Sequence, residues 1–268
     1  MKARSKCEGC LLRIFEEELE LAGISGDEKG ETVKKLRKHL AKNFSLENDP
    51  YSQLATGMEE IVRKAAGGRD YFKQLKDEMN SRARGICNGL KADSLEDSMK
   101  IALAGNALDL LHLEKNEAVS TAKKALQAPL DVDDRAEAVE LINRHDGITY
   151  VADNAGEVFF DRFLVEELWR RGKKVRYVVR AAPMSNDATE EDAREAGIDK
   201  FAEIEKFDGY GYKIERKHPP IISKGHAGWV TLSEGKPTDI IFIVKVKRCS
   251  IIASSLGVKP GASVVKVV

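Results

Sequence analysis

From residue 147 the chain repeats one order twice: an apolar run, a polar loop, a helix-period segment, a glycine. The apolar run 148–152 leads into Asp153-Asn154-Ala155-Gly156-Glu157 and a predicted helix over 160–171, which Gly172 ends. A second apolar run, 174–179, leads into the polar turn 183–187 and a predicted helix over 190–196, closed by Gly197. Two consecutive repeats of this kind require parallel strands covered by helices, because the crossover helix is what returns the chain to the same edge. Segments 221–223, 240–246 and 264–267 are further strand candidates. The second part of the chain therefore reads as α/β.

Up to about residue 146 the texture is different. Leu11, Leu12, Phe15, Leu19 and Ala22 form one helical stripe that Gly23 stops. Further helices are predicted over 31–42, 53–66, 71–88, 94–112 and 131–144, with Asn48 to Tyr51 as a loop. This region, 1–146, is expected to be a helical bundle. No linker separates it from 147–268, so the two are expected to pack as one compact unit. With 268 residues, of which 42% are hydrophobic, the chain has enough apolar surface for a large core.

Charge narrows the function classes. Basic and acidic residues both number 44; residues 1–146 hold 24 and 27 of them, the remainder 20 and 17. Neither part has the basic excess of a nucleic-acid clamp, so no nucleic-acid partner is expected. No run of 18 apolar residues is present, no membrane partner is expected, and a cytoplasmic location is the simplest reading. The four cysteines are too few for a disulfide-built fold of this size.

In an open parallel sheet ligands sit beyond the carboxyl ends of the strands. Asp153-Asn154 and Asn186-Asp187 both fall there, one strand–helix–strand repeat apart, so adjacent strands bring them side by side. Two carboxylates with amide oxygens suit a hard divalent cation, which polarises phosphoryl oxygens. The same aspartates equally suit helix caps. Lys224, between an apolar run and Gly225, reads either as a phosphate ligand or as a surface lysine, and Arg180 carries the same two readings. Glu157 reads as a first-turn residue favouring the helix dipole or as the group that aligns an attacking water. A dinucleotide fingerprint is absent after the first strand.

Taken together these loops resemble the damage-control phosphatase family, in its prokaryotic branch bearing a CxxC motif. The resemblance rests on Cys7-Glu8-Gly9-Cys10, Asp49-Pro50-Tyr51, Ala104 to Asp109, and Asp153 to Glu157 with Asp161 one turn on. It continues through Pro183 to Thr189, Ile222-Ser223-Lys224-Gly225, Lys247-Arg248-Cys249 and Leu256-Gly257-Val258. It implies an amino-terminal helical bundle packed on a three-layer α/β/α domain with a mostly parallel sheet. It implies a metal-dependent phosphatase acting on small phosphorylated metabolites such as sugar phosphates. One divalent ion, Mn, Co, Ni or Mg, is expected on Asp153, Asn154 and Asp187, with Lys224 at the phosphate. Asn106, Asp109, Arg180, Asn186 and His226 are expected to border the pocket. Direct attack of water, aligned by Glu157, is the favoured route.

One segment departs from the family pattern. Where Gln-Gly-Asn-aromatic-Glu is expected after the Lys-Gly pair, this chain has His226-Ala227-Gly228-Trp229-Val230, so two polar groups are missing. The span from Gly209 to Ile221 is also short, and a strand is expected to be lost with it. A non-catalytic, metal-dependent phosphometabolite-binding protein is the alternative reading; a nucleotide-dependent transferase finds no glycine-rich loop to support it. Cys7, Cys10 and Cys249 form a candidate thiol site, with buried thiols, a metal or disulfide role, and redox chemistry all open. The oligomeric state is not legible.

Overall fold

In a computed structural model, which describes residues 1–107, 124–209, 220–234 and 238–268, a helical bundle packs against a mixed, mostly parallel sheet flanked by helices. Seven described strands form one sheet: β1 (Val132–Asp133), β2 (Gly147–Val151), β3 (Lys174–Arg180), β4 (Glu203–Phe207), β5 (Ile221–Lys224), β6 (Ile240–Lys245) and β7 (Ser263–Val267). Their order is β1-β7-β6-β5-β2-β3-β4, and every pairing is parallel except β6 with β7. From β2 the chain moves outward through β3 and β4, and from β5 it moves the opposite way to β6. The order thus reverses between β2 and β5, where a crevice opens at the strand ends.

Ile148, Thr149, Tyr150 and Val151 are all buried, as a strand covered on both faces requires. On one face, helices Lys73–Cys87, Leu95–Ala107 and Glu157–Arg170 share a core with the sheet, built around Met99, Tyr150, Phe160, Leu164 and Tyr177. Helix Leu95–Ala107 comes so close to helix Glu157–Arg170 that a Cβ at Gly105 would lie 2.7 Å from that of Phe160. The opposite face is covered by helices Gly225–Leu232 and Ser250–Leu256 through Trp229, Val230, Ile252 and Leu256. A third cluster joins helices Ser5–Leu21, Gly26–Asn43 and Thr56–Ala65 through Phe15, Leu19, Leu36, Leu40 and Met58. Among the described residues, no helix is long and apolar enough to cross a membrane.

Several expected elements shift. The helix after β2 begins at Glu157 rather than 160, so Glu157 occupies its first turn. The segment 131–144 splits into the short β1 and a helix, Arg135–Asn143. Strand β4 escaped the apolar-run criterion because it is an edge strand whose Glu203, Glu205 and Lys206 face water; such charges keep an edge from pairing with other chains. Helices Gly225–Leu232 and Ser250–Leu256 are too short and too apolar to show a helical stripe. Asp109 and the shortened span before Ile221 lie outside the described residues, apart from Gly209 and Pro220.

Candidate active site at the strand ends

Asp153 and Asn154 follow β2 directly, and Asn186 and Asp187 follow β3 after a turn. An antiparallel bridge between Asn154 and Asp187 ties the two loops together. Neither aspartate is a helix cap. Gly156 caps helix Glu157–Arg170, and Thr189 caps helix Glu190–Ala196 in a capping box with Asp192. The capping alternative is therefore excluded, and both side chains are left for another use.

A cleft of about 290 Å³ opens over these loops. Its floor holds Asn106, Asp153, Asn154, Asn186, Asp187 and His226, so six of the sequence candidates meet there. Its far wall is helix Ser5–Leu21, which contributes Leu11, Ile14, Phe15 and Glu18. Lys245 and Lys247 stand at the end of β6 on the same cleft. Glu18 and Lys245 belong to no motif, but the position of Lys245 at a strand's carboxyl end is a signal that would have found it.

Beneath the floor lies a network of charges. Asn106, 2% exposed, donates through Nδ2 to Asp153 Oδ2 at 3.0 Å and to both Glu157 oxygens at 3.2 and 3.1 Å. Its own carbonyl oxygen accepts the Lys245 backbone N–H at 2.7 Å. Asn154 Nδ2 donates to Asp153 Oδ2 at 3.2 Å and to Glu157 Oε1 at 2.9 Å. Lys224 is 1% exposed and donates to Asp161 at 2.6 Å and to Glu157 at 3.1 Å. The surface-lysine reading is thereby overturned, yet Lys224 and Glu157 underlie the cleft rather than line it. Burial alone would drive the proton off Lys224, but the carboxylates of Asp161 and Glu157 outweigh it and raise the ammonium above its ordinary value.

Asp187 is gripped from behind by Arg180, whose Nε donates to Oδ2 at 2.6 Å; Arg180 also donates to the Gly209 carbonyl. Arg180 is buried as well, so it too is no surface cation. Gly225, at the end of β5, has φ +68°, and a Cβ there would lie 1.8 Å from Asp153 Oδ2. Only glycine permits both the left-handed backbone and this approach. His226 is pushed down to about 4 by burial and by Lys247, and its Nε2 accepts the Lys247 backbone N–H at 3.2 Å. It enters the cleft as a neutral imidazole.

The departing segment finds its place in the same helix. Val230 lies fully buried in the apolar cluster with Trp229 and Phe242, away from the cleft. Gly228 sits against Ser223, whose buried Oγ has no hydrogen-bond partner among the described residues. Cys7, Cys10 and Cys249 do not join the cleft; they open on a neighbouring cavity that shares Leu11, Ile14 and Tyr51 with it.

The donor set fits a divalent ion. Four carboxylates, Asp153, Glu157, Asp161 and Asp187, face two buried cations, Lys224 and Arg180. Burial, then Glu157 and Asp187, push the Asp153 carboxyl well above the usual range, against the opposing pull of Lys224 and Lys247. Among the described residues, no three His, Cys, Asp or Glu side chains gather as a metal cage. The oxygen set at hand is two carboxylates and an amide, which suits an ion that retains several waters.

Residues 3–264 match the model of the damage-control phosphatase ARMT1-like domain. A damage-control phosphatase of Archaeoglobus fulgidus is 30% identical over 291 aligned positions, covering 100% of both chains. A second damage-control phosphatase, from Pyrococcus horikoshii, is 28% identical over 98% of this chain and 97% of its own. The crystal structure of a DUF89 family protein from Pyrococcus horikoshii superposes with a TM-score of 0.89 at 28% identity, covering 99% of this chain and 98% of that one.

Proposed function

The chain belongs to the damage-control phosphatase ARMT1-like domain family, and on that premise we propose that it is a divalent-metal-dependent phosphatase of small phosphometabolites such as sugar phosphates. The observation that carries this reading is the surplus of buried carboxylate at the sheet's switch point, facing a cleft with lysines on its rim. Asp153, Asn154 and Asp187 would hold one ion, Mn, Co, Ni or Mg. Such an ion supplies charge neutralisation at the phosphoryl oxygens and a more acidic water.

The protein's own groups do the rest. Asn106 and Asn154 fix the Asp153 and Glu157 carboxylates by donating to both, which sets their direction before substrate arrives. Lys224 supplies fixed positive charge beneath the transferring group, and Lys247 draws the anionic substrate to the mouth, while the ammonium of Lys245 is held by the Gly261 carbonyl and the Ser263 hydroxyl. To Glu157 we assign the alignment of the attacking water and the acceptance of its proton, a role that requires a water beneath the cleft floor, where Asn106, Asn154 and Lys224 hold that carboxylate. The apolar wall of Leu11, Ile14 and Phe15 excludes solvent on the opposite side. The small cleft favours a metabolite over a phosphoprotein. The change at Gly228 favours a second reading, a metabolite-binding protein without turnover; Val230 is buried away from the cleft and adds nothing to it.

Phosphate release from a panel of small esters, run with each ion and with a chelator, separates the two. Turnover is expected with metal, lost on chelation and lost in Asp153→Ala, which keeps the circular dichroism of the parent. Absence of release from every ester with every ion would reject the phosphatase reading. Metal affinity unchanged by Asp153→Ala would reject the metal assignment.

A further inference from the structure

Behind helix Ser5–Leu21 lies a cavity of about 480 Å³, lined by Cys7, Cys10 and Cys249 together with Lys6, Arg13 and Arg248. No described acidic residue lines it. In a chain with zero formal net charge, three cations around three thiols are a local surplus. None of the three has an ion-pair partner among the described residues; Arg13 is directed instead at sulfur, with Nη2 donating to Cys10 Sγ at 3.8 Å. The remaining lining is largely aliphatic and includes Ile14 and Ile251. Charge without a counter-charge, beside thiols and aliphatic side chains, suits an organic anion that carries sulfur.

We propose that this cavity is a thiol–disulfide exchange site for small anionic disulfides, with Cys10 as the attacking sulfur. Cys10 is exposed, whereas Cys7 is buried and Cys249 is half-buried. Burial raises the Cys7 thiol, which leaves it the poorer nucleophile. The Cys10 thiolate attacks one sulfur of R–S–S–R; the S–S bond breaks, and RS⁻ leaves with the electron pair and takes a proton from water. The product is a Cys10–S–S–R mixed disulfide, in which the small disulfide is the oxidant. Cys7, three residues earlier, is buried and its thiol is raised by that burial, so its attack on the adduct is the slower step and the mixed disulfide accumulates.

The test uses the full chain, reduced, with oxidised glutathione, neutral 2-hydroxyethyl disulfide and cationic cystamine as probes. Intact-mass and peptide-mass measurements give rates at each cysteine, each normalised to the rate of the same reagent with N-acetylcysteine amide. The expected result is one glutathione adduct at Cys10, none in Cys10→Ser, and a normalised preference for the anionic over the cationic probe of about tenfold or more at low salt. That preference should collapse in about 1 M salt and in Arg13→Glu/Arg248→Glu. The salt series on the unaltered chain decides the matter if the double variant folds poorly. A normalised preference near one at low salt, or modification at Cys87 or Cys249 with Cys10 untouched, would overturn the site. Neither outcome depends on phosphate release.

Discussion

Two pairs of buried carboxylates flank the cleft, and they are neutralised by different means. Under the floor, Glu157 and Asp161 meet the ammonium of Lys224. On the bundle side, Glu18 and Glu59 meet neutral donors: the Tyr71 hydroxyl at 2.9 Å from Glu18 and 3.1 Å from Glu59, and the Ser185 hydroxyl at 2.7 and 3.2 Å. Burial and then the neighbouring Glu59 raise the Glu18 carboxyl well above its usual value, so this pair holds a proton more tightly than exposed carboxylates do. The floor thus pairs its carboxylates with a fixed cation, whereas the wall pairs them with neutral donors. The Glu18–Glu59 bracket grips Ser185, a non-glycine residue at φ +46°, two positions before Asp187. The same side-chain type serves as an electrostatic device in one place and as a hydrogen-bonding brace in the other, and only its partners decide which.

The largest effect should come from removing the floor's cation. Lys224→Met strands two buried carboxylates and should cost about 3–5 kcal/mol in chemical denaturation; a loss below about 1 kcal/mol would show that the floor, like the wall, needs no fixed cation. Next is Gly225→Ala, which places a methyl against Asp153 at a left-handed backbone position. A loss of about 1–2 kcal/mol is expected, with weaker cation binding by calorimetry, while the Glu18–Glu59 bracket stays untouched.

The wall should show itself through pH. The folded Glu18 carboxyl titrates above its unfolded value of about 4.3, so its stabilising contribution is complete below that pH and is lost as pH rises through the folded value. Glu18→Gln cannot ionise and escapes this loss. Its stability relative to the parent should therefore climb with pH from the carboxylate range upward, and a flat difference would assign the bracket two ionised carboxylates. The smallest effect is expected at His226, already neutral near pH 7. His226→Gln should leave the pH–rate limbs between about pH 6 and 9 in place, and a shifted limb would make His226 a proton-transfer group.

Much of this was legible before any coordinates. The paired loops at residues 153–157 and 183–187 announce themselves because a strand, a polar loop and a helix must alternate in a parallel sheet. Asn106, Asp153, Asn154, Asn186, Asp187 and His226 meet as the motifs suggest. The depth of Lys224 was not legible: strand register says where a residue lies along the sheet, not how much chain covers it. Glu18 and Glu59 were hidden for a related reason. On a helix rich in Glu, nothing local marks the one that turns inward, and the partner that buries Glu18 is Ser185, 167 positions away. Strand β4 was missed because its charged face suppresses the apolar run that betrays an interior strand.

The route of the chain through the sheet has a consequence for biosynthesis. β2 and β3, with their acidic loops, leave the ribosome long before β5 and β6, yet β5 and β6 deliver Lys224 and the backbone N–H that orients Asn106. Until Lys224 has emerged, the nascent chain carries Asp153, Glu157 and Asp161 without their cation. Pairing across such sequence distances is slow because loop closure precedes any reward. The acids of the site are thus made early and paired late, and a growing chain in a cell must pass through an interval in which those acids have no folded home.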